Sequence, residues 1–163
     1  MRFFLFGLAL LSSMPALASD WQSTYYNTRR GSLFIDKDSV VEVQGSVRKF
    51  WTLFAPRVTV GQPGEGYAYH KALRQIDCAS RTSALVRSIY HDENNAPHEA
   101  QVDDKAMRDI APDSEDDYLW QYVCKPERQG KLGTPAGNIS QFLDDQVKFT
   151  KENLLTLKRM QGK

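Results

Sequence analysis

The chain has 163 residues, of which 41% are apolar and 25% charged, with a formal net charge of +1 and two cysteines. That length suits a single domain with a sizeable core. The near-neutral balance argues against nucleic acid, whose phosphates call for a strong basic excess.

Residues 1–18 read as a targeting segment. Arg2 supplies a minimal charged region, residues 3–11 form an apolar run too short to span a bilayer, and Ala16-Leu17-Ala18 is a small-x-small cleavage site. The mature chain is then expected to begin near Ser19, with 145 residues and no formal net charge. No cysteine near that site could accept a lipid, and no later stretch is apolar enough for a membrane span. Export is therefore expected, to the periplasm, the cell surface or the medium.

Residues 21–27 are rich in aromatic and hydroxyl side chains, as strands are. Arg29-Arg30-Gly31-Ser32 is a turn and Leu33, Phe34 and Ile35 a short strand. Asp36-Lys37-Asp38-Ser39 breaks that strand with side chains that bond their own backbone. Residues 40–43 resume it, Gln44-Gly45-Ser46 turns, and residues 47–55 form a longer strand ending at Pro56. Residues 61–66, with three glycines and a proline, are a loop whose spacing fits neither the dinucleotide nor the P-loop pattern. Residues 67–78 and 82–91 are long neighbouring strands joined near Ala79 and Ser80. Residues 91–97 turn, and Val102 and residues 107–110 are weaker strand candidates.

Pro112-Asp113-Ser114 opens a short helix over about 114–125. Asp113 or Ser114 caps it, and Glu115, Asp116 and Asp117 sit at the positive end of its dipole. Leu119, Tyr122 and Val123 form its apolar stripe, and Pro126 stops it. Residues 126–137, with two prolines and three glycines, read as a linker. Asn138 and Gln141 then have N-cap and N3 spacing. Ile139, Leu143, Val147, Leu154 and Leu157 fall on one face of an amphipathic helix running to about Met160, and Asp145, Lys148, Glu152 and Arg159 on the other. That helix packs on its own domain, on a partner or on a second copy; Asp144 and Asp145 interrupt any basic face for a membrane. The layout is thus a signal peptide (1–18), a domain (19–125), a linker (126–137) and a C-terminal helix (138–163). Strands followed by helices predict an α+β fold, an antiparallel sheet of about six strands with helices on one side.

Charge is segregated along the chain. Residues 67–91 carry a net +3, residues 92–117 a net −8 and residues 118–163 a net +4, which predicts patches of opposite sign. In an exported protein Cys78 and Cys124 read as one disulfide, with two buried free thiols as the alternative. Two lone cysteines without a nearby histidine do not supply four metal ligands.

No catalytic constellation stands out. A cysteine nucleophile needs a free thiol, and there is no Gly-x-Ser-x-Gly elbow. The pairs Asp103/Asp104, Asp116/Asp117 and Asp144/Asp145 are adjacent in sequence and point to different faces. His91 and His98 flank a turn with Asp92, Glu93 and Glu99, in no known ligand spacing, and the turn lacks the pattern of a calcium loop. No cofactor or metal is expected, and an enzyme would need a titratable cluster visible only after folding. What does stand out is Lys71, Arg74, Arg81 and Arg87 interleaved with Tyr67, Tyr69 and Tyr90. Such a mixture suits a protein-binding face for acidic segments or sulfated glycans, or an ordinary solvated sheet face with some tyrosines in the core.

The order of these elements resembles the surface-adhesin protein E family of Gram-negative bacteria. The matching pieces are Leu33-Phe34-Ile35-Asp36 with Ser39-Val40, residues 47–54, Arg74-Gln75-Ile76-Asp77-Cys78, Ser88-Ile89-Tyr90, and Ile110-Ala111-Pro112-Asp113 leading to residues 118–124. The resemblance implies a twisted antiparallel sheet with helices, a Cys78–Cys124 disulfide and a non-enzymatic role in binding host matrix and serum proteins such as vitronectin, laminin and plasminogen. This chain departs from the lipid-anchored adhesin that names the family in having no anchor cysteine, and it adds the helix over 138–160. Both departures keep open a periplasmic accessory protein whose C-terminal helix docks a partner or forms a homodimer.

Overall fold

The computed structural model describes residues 19–28, 31–57 and 66–161. The expected targeting segment, the turn residues Arg29 and Arg30, and the glycine-rich loop up to residue 65 lie outside them. Among the described residues, one antiparallel sheet holds nine strands. Six are those expected: β1 (Trp21–Thr28), β2 (Gly31–Asp36), β3 (Val41–Gln44), β4 (Val47–Pro56), β5 (Tyr69–Asp77) and β6 (Thr82–His91). Three short ones join them: β7 (Pro97–Ala100), β8 (Arg108–Asp109), which falls within the weaker candidate 107–110, and β9 (Gly133–Pro135), while Val102 lies in no strand. The order across the sheet is β7-β6-β5-β4-β2-β1-β9, with β3 on β4 and β8 on β6. Gly45, at φ +57°, makes the β3–β4 turn.

Helix α1 (Glu115–Cys124) starts at Ser114, whose side chain accepts the Asp117 N–H. The long helix α3 (Ile139–Gln161) opens with Asn138 Oδ1 accepting the Gln141 N–H at 3.1 Å. Both N-termini therefore fall where the capping residues place them.

The helices do not share one side of the sheet. Strand β2 is buried on both faces, because its alternate residues enter two different cores. Leu33 and Ile35 join Phe50, Ile76, Ile110 and the α1 residues Leu119, Tyr122 and Val123. Phe34 instead joins Leu53, Ala55, Ala68 and Tyr69, against which Trp21 and the α3 residues Ile139, Phe142, Leu143 and Val147 pack. The Phe34 and Phe142 rings lie 5.0 Å apart. The expectation of helices on one side fails because the continuous apolar run Leu33-Phe34-Ile35 needs a cover on each face.

Residues 126–137, read as a linker, also fold onto the sheet. A 3-10 turn (Pro126–Arg128) and α2 (Gln129–Leu132) lead into β9, which pairs with β1 through Gln22↔Pro135, Ser23↔Thr134 and Thr24↔Gly133. No helix of the described residues is long and apolar enough to cross a membrane.

Candidate protein-binding surface

The two cysteines are joined: Cys78 at the end of β5 and Cys124 at the end of α1 form a disulfide, with Cα atoms 5.5 Å apart. Ion pairs extend this attachment along α1. Arg74 donates to Glu115 at 2.5 Å and Asp116 at 2.7 Å, Arg81 donates to Asp117 at 2.6 Å, and the Ser83 hydroxyl donates to Asp116 at 2.5 Å. Two cations lie over the Trp120 ring, with Arg81 4.9 Å and the Lys125 ammonium 5.3 Å from its centre. Beneath the helix end, Asp77 accepts from the hydroxyls of Ser46 and Ser80 and the Ala79 N–H, which hold its carboxyl down at about 2.

The four basic residues singled out in the sequence divide between the faces. Arg74 shares the α1 face with Thr52, to which its Nε also donates. Arg81, in the β5–β6 turn at φ +55°, reaches the same helix. Lys71 lies two residues beyond Tyr69 on β5 and therefore shares its α3 face. There the register sets Lys71 beside Ile89 and Ile89 beside Glu99, with Leu73 beside Arg87. Arg87 forks onto Glu99 through Nε at 2.7 Å and a second nitrogen at 2.8 Å, and this pairing holds the Glu99 carboxyl below its ordinary value.

The charge segregation has a structural outcome. Part of the acidic stretch 92–117 pairs with the basic strands. Glu99, Glu115, Asp116 and Asp117 are bound to Arg87, Arg74 and Arg81, and Asp104 to Arg108.

At the outer edge of β6 the ladder is interrupted. Strand β8 pairs with Thr82 and Ser83, and β7 with residues from Ser88 onward. Between them Val86 is the extra residue of a bulge, since Leu73 faces Arg87 while Arg74 faces Leu85. A shallow cavity of about 350 Å³ lies there, lined by Val86, Arg87, Glu99, Gln101, Val102 and Lys105. The cavity lining carries two cations, Arg87 and Lys105, and one carboxylate, Glu99, around small apolar side chains, and Lys71 stands on the same face of the sheet two strands from Glu99. Lys105 and Val86 were not singled out in the sequence. Lys105 lies in an acidic stretch, and nothing in the local pattern marks the bulge.

Two histidines have specific surroundings. The Tyr69 and His91 rings stack 4.4 Å apart, and the Tyr69 hydroxyl donates to Asn95 at 2.7 Å. Burial lowers the His91 ring below its ordinary value. On the opposite face His70 sits among Phe54, Tyr67 and Tyr90, with centroids 5.3–5.8 Å from its own. Burial, with the nearby Arg74 charge, pulls this imidazole down to about 4. Among the described residues, no three His, Cys, Asp or Glu side chains are grouped to hold a metal ion.

Comparison with known proteins bears on this arrangement. Residues 21–125 match the family model described as surface-adhesin protein E, which ends just past α1 and leaves α3 outside. Crystal form II of Haemophilus influenzae protein E superposes with a TM-score of 0.54 at 15% identity, covering 68% of this chain and 91% of that one. The Se-Met form of the same protein gives 0.51 at 16% identity, covering 66% and 88%. At these identities the likeness is one of fold. No curated protein matches the sequence.

Proposed function

Because the chain belongs to the surface-adhesin protein E family, we propose that it is an exported, non-enzymatic domain that binds other proteins, with host matrix or serum proteins such as vitronectin, laminin and plasminogen as its ligands. The observation that carries a site for this activity is the cation-lined cavity on the interrupted β6 edge. Lys71, Arg87 and Lys105 would receive acidic side chains of the ligand, and Val86 and Val102 would supply the apolar floor. Of the four basic residues picked from the sequence, Lys71 and Arg87 belong to this contact surface. Arg74 and Arg81 support it from behind by holding α1, so reversing their charge tests stability rather than binding.

The test is a charge-reversal series, Lys71→Glu, Arg87→Glu and Lys105→Glu, assayed for binding to immobilised vitronectin, laminin and plasminogen. Two reversals together are expected to weaken binding at least tenfold, mainly through a slower on-rate, with the effect shrinking at high salt. Unchanged binding by all three variants would remove this surface from the reading.

A second reading is a periplasmic accessory protein that docks an envelope partner through α3. It draws on Phe149, Leu155 and Met160, which α3 leaves exposed. Protease shaving of intact cells separates the two. Loss of the protein while a periplasmic marker survives supports the adhesin, and survival beside the marker supports the periplasmic role.

A further inference from the structure

Strand β1 begins just beyond the cleavage site expected between Ala18 and Ser19, and that junction lies against a buried carboxylate. The register sets Trp21 opposite Asp36, the last residue of β2, and the Lys37 N–H donates to the Asp20 carbonyl at 2.9 Å. The chain entering β1 is thereby held beside the end of β2. Asp36 is 7% exposed, and its Oδ1 is buried with no hydrogen-bond partner. Asp36 stands at the start of the 3-10 turn Lys37–Ser39 without capping it through its side chain. Among the described residues no lysine or arginine pairs with it, and Lys37 is exposed. Burial pushes the Asp36 carboxyl up, and the Ser19 hydroxyl beside it pulls the other way. A buried carboxylate is costly unless a positive group meets it.

We propose that removal of residues 1–18 supplies that group: the new α-ammonium of Ser19 pairs with the Asp36 carboxylate and fastens β1 to β2. Water adds across the Ala18–Ser19 amide under the exporting cell's leader peptidase. The C–N bond breaks, Ala18 departs as a carboxylate, and the Ser19 nitrogen becomes an ammonium. Below its ordinary pKa of about 8 that ammonium is charged and carries three donors. The nitrogen and hydroxyl oxygen of a serine lie about 3 Å apart in a staggered rotamer, so the ammonium comes close to whatever the hydroxyl touches. In the precursor the same nitrogen is a neutral amide, and the carboxylate has no cation. Cleavage therefore tightens the β1–β2 corner, and the domain is less stable with its leader than without it. This inference rests on the export that the proposed function includes, and not on the ligand surface at β6.

The test uses the full chain exported with its own leader and purified, its first residue read by intact mass. Ser19 is the expected start. A second form carries one glutamine inserted between Ala18 and Ser19, a residue unsuited to the small-residue cleavage position. The insertion moves the ammonium about 3.5 Å along the chain. It should lower the denaturant midpoint by itself. Asp36→Asn should cut the folding constant about tenfold in the processed protein, by breaking a buried charge pair. In the inserted form the same substitution should leave the midpoint unchanged or raise it, because there it removes a carboxylate without a cation. A buried water on Oδ1 would survive the insertion, and Asp36→Asn would then shift both forms alike. That result overturns the proposal, as does a mature chain that starts elsewhere than Ser19 or an insertion that leaves the midpoint unchanged. Ligand binding by the same preparations reads the β6 surface separately, so failure of one reading is distinguishable from failure of the other.

Discussion

Single residues decide how closely the strands approach. Gly31 reads in the sequence as the glycine of a turn, yet it is the first residue of β2. A Cβ there would lie 2.4 Å from the Ala55 carbonyl and 2.5 Å from the Phe54 ring. Gly31→Ala must push β2 from β4, and the expected cost is about 1–3 kcal/mol, read from the denaturant midpoint. His70 makes a different demand. Its ring stays neutral in the fold until about pH 4, whereas an unperturbed histidine protonates near 6.5. Between those values the unfolded chain binds the extra proton, so this contribution is complete above pH 6.5 and falls away as pH drops toward 4. The loss is up to about 3 kcal/mol. His70→Phe should flatten the stability profile over that window, and an unchanged slope would assign the acid sensitivity to other groups. The identity of His70 was plain in the sequence. Its burial was not, because Phe54, Tyr67 and Tyr90 reach it from three separate segments.

At the level of elements, the sequence was most legible where the signal is local. Ser114 and Asn138 place both helix starts because capping involves neighbours three residues apart. Strands β7 and β9 escaped notice because three or four residues carry no readable period; their pairing with β6 and β1 comes from distant segments. The candidate site fared the same way: the basic and aromatic composition of β5 and β6 was visible, but alternation across a bulged sheet decided which cations share a face. Helix α1 has two fastenings, the disulfide at its end and Arg74 and Arg81 at its start. Arg74→Met should leave Glu115 and Asp116 without their partly buried partner and cost about 1–3 kcal/mol. Thermal melts of Arg74→Met, alone and with Glu115→Gln and Asp116→Asn, would check it. The triple variant should recover part of the loss, because the stranded charges are gone.

For the molecule as a whole, one sheet serves two cores, with α1 closing the first and α3 the second. The crosslink at a sequence separation of 46 ties the first core to the strands. Replacing both cysteines by serine is expected to lower stability by as much as about 4 kcal/mol. Denaturant unfolding of that variant beside the oxidised protein checks it, and equal midpoints would show that the ion pairs alone suffice to hold α1.

The place of β9 beside β1 has a temporal side. The strand that begins the described chain gains its second neighbour only from residues 133–135, and Leu33 and Ile35 wait for Leu119 and Tyr122 before their core is closed. A segment emerging first, whether from a ribosome or through a membrane pore, therefore meets no complete surface to settle on. Contacts this distant in sequence make for slow closure. Both the β1 edge and the first core can close only once residues 119–135 are available.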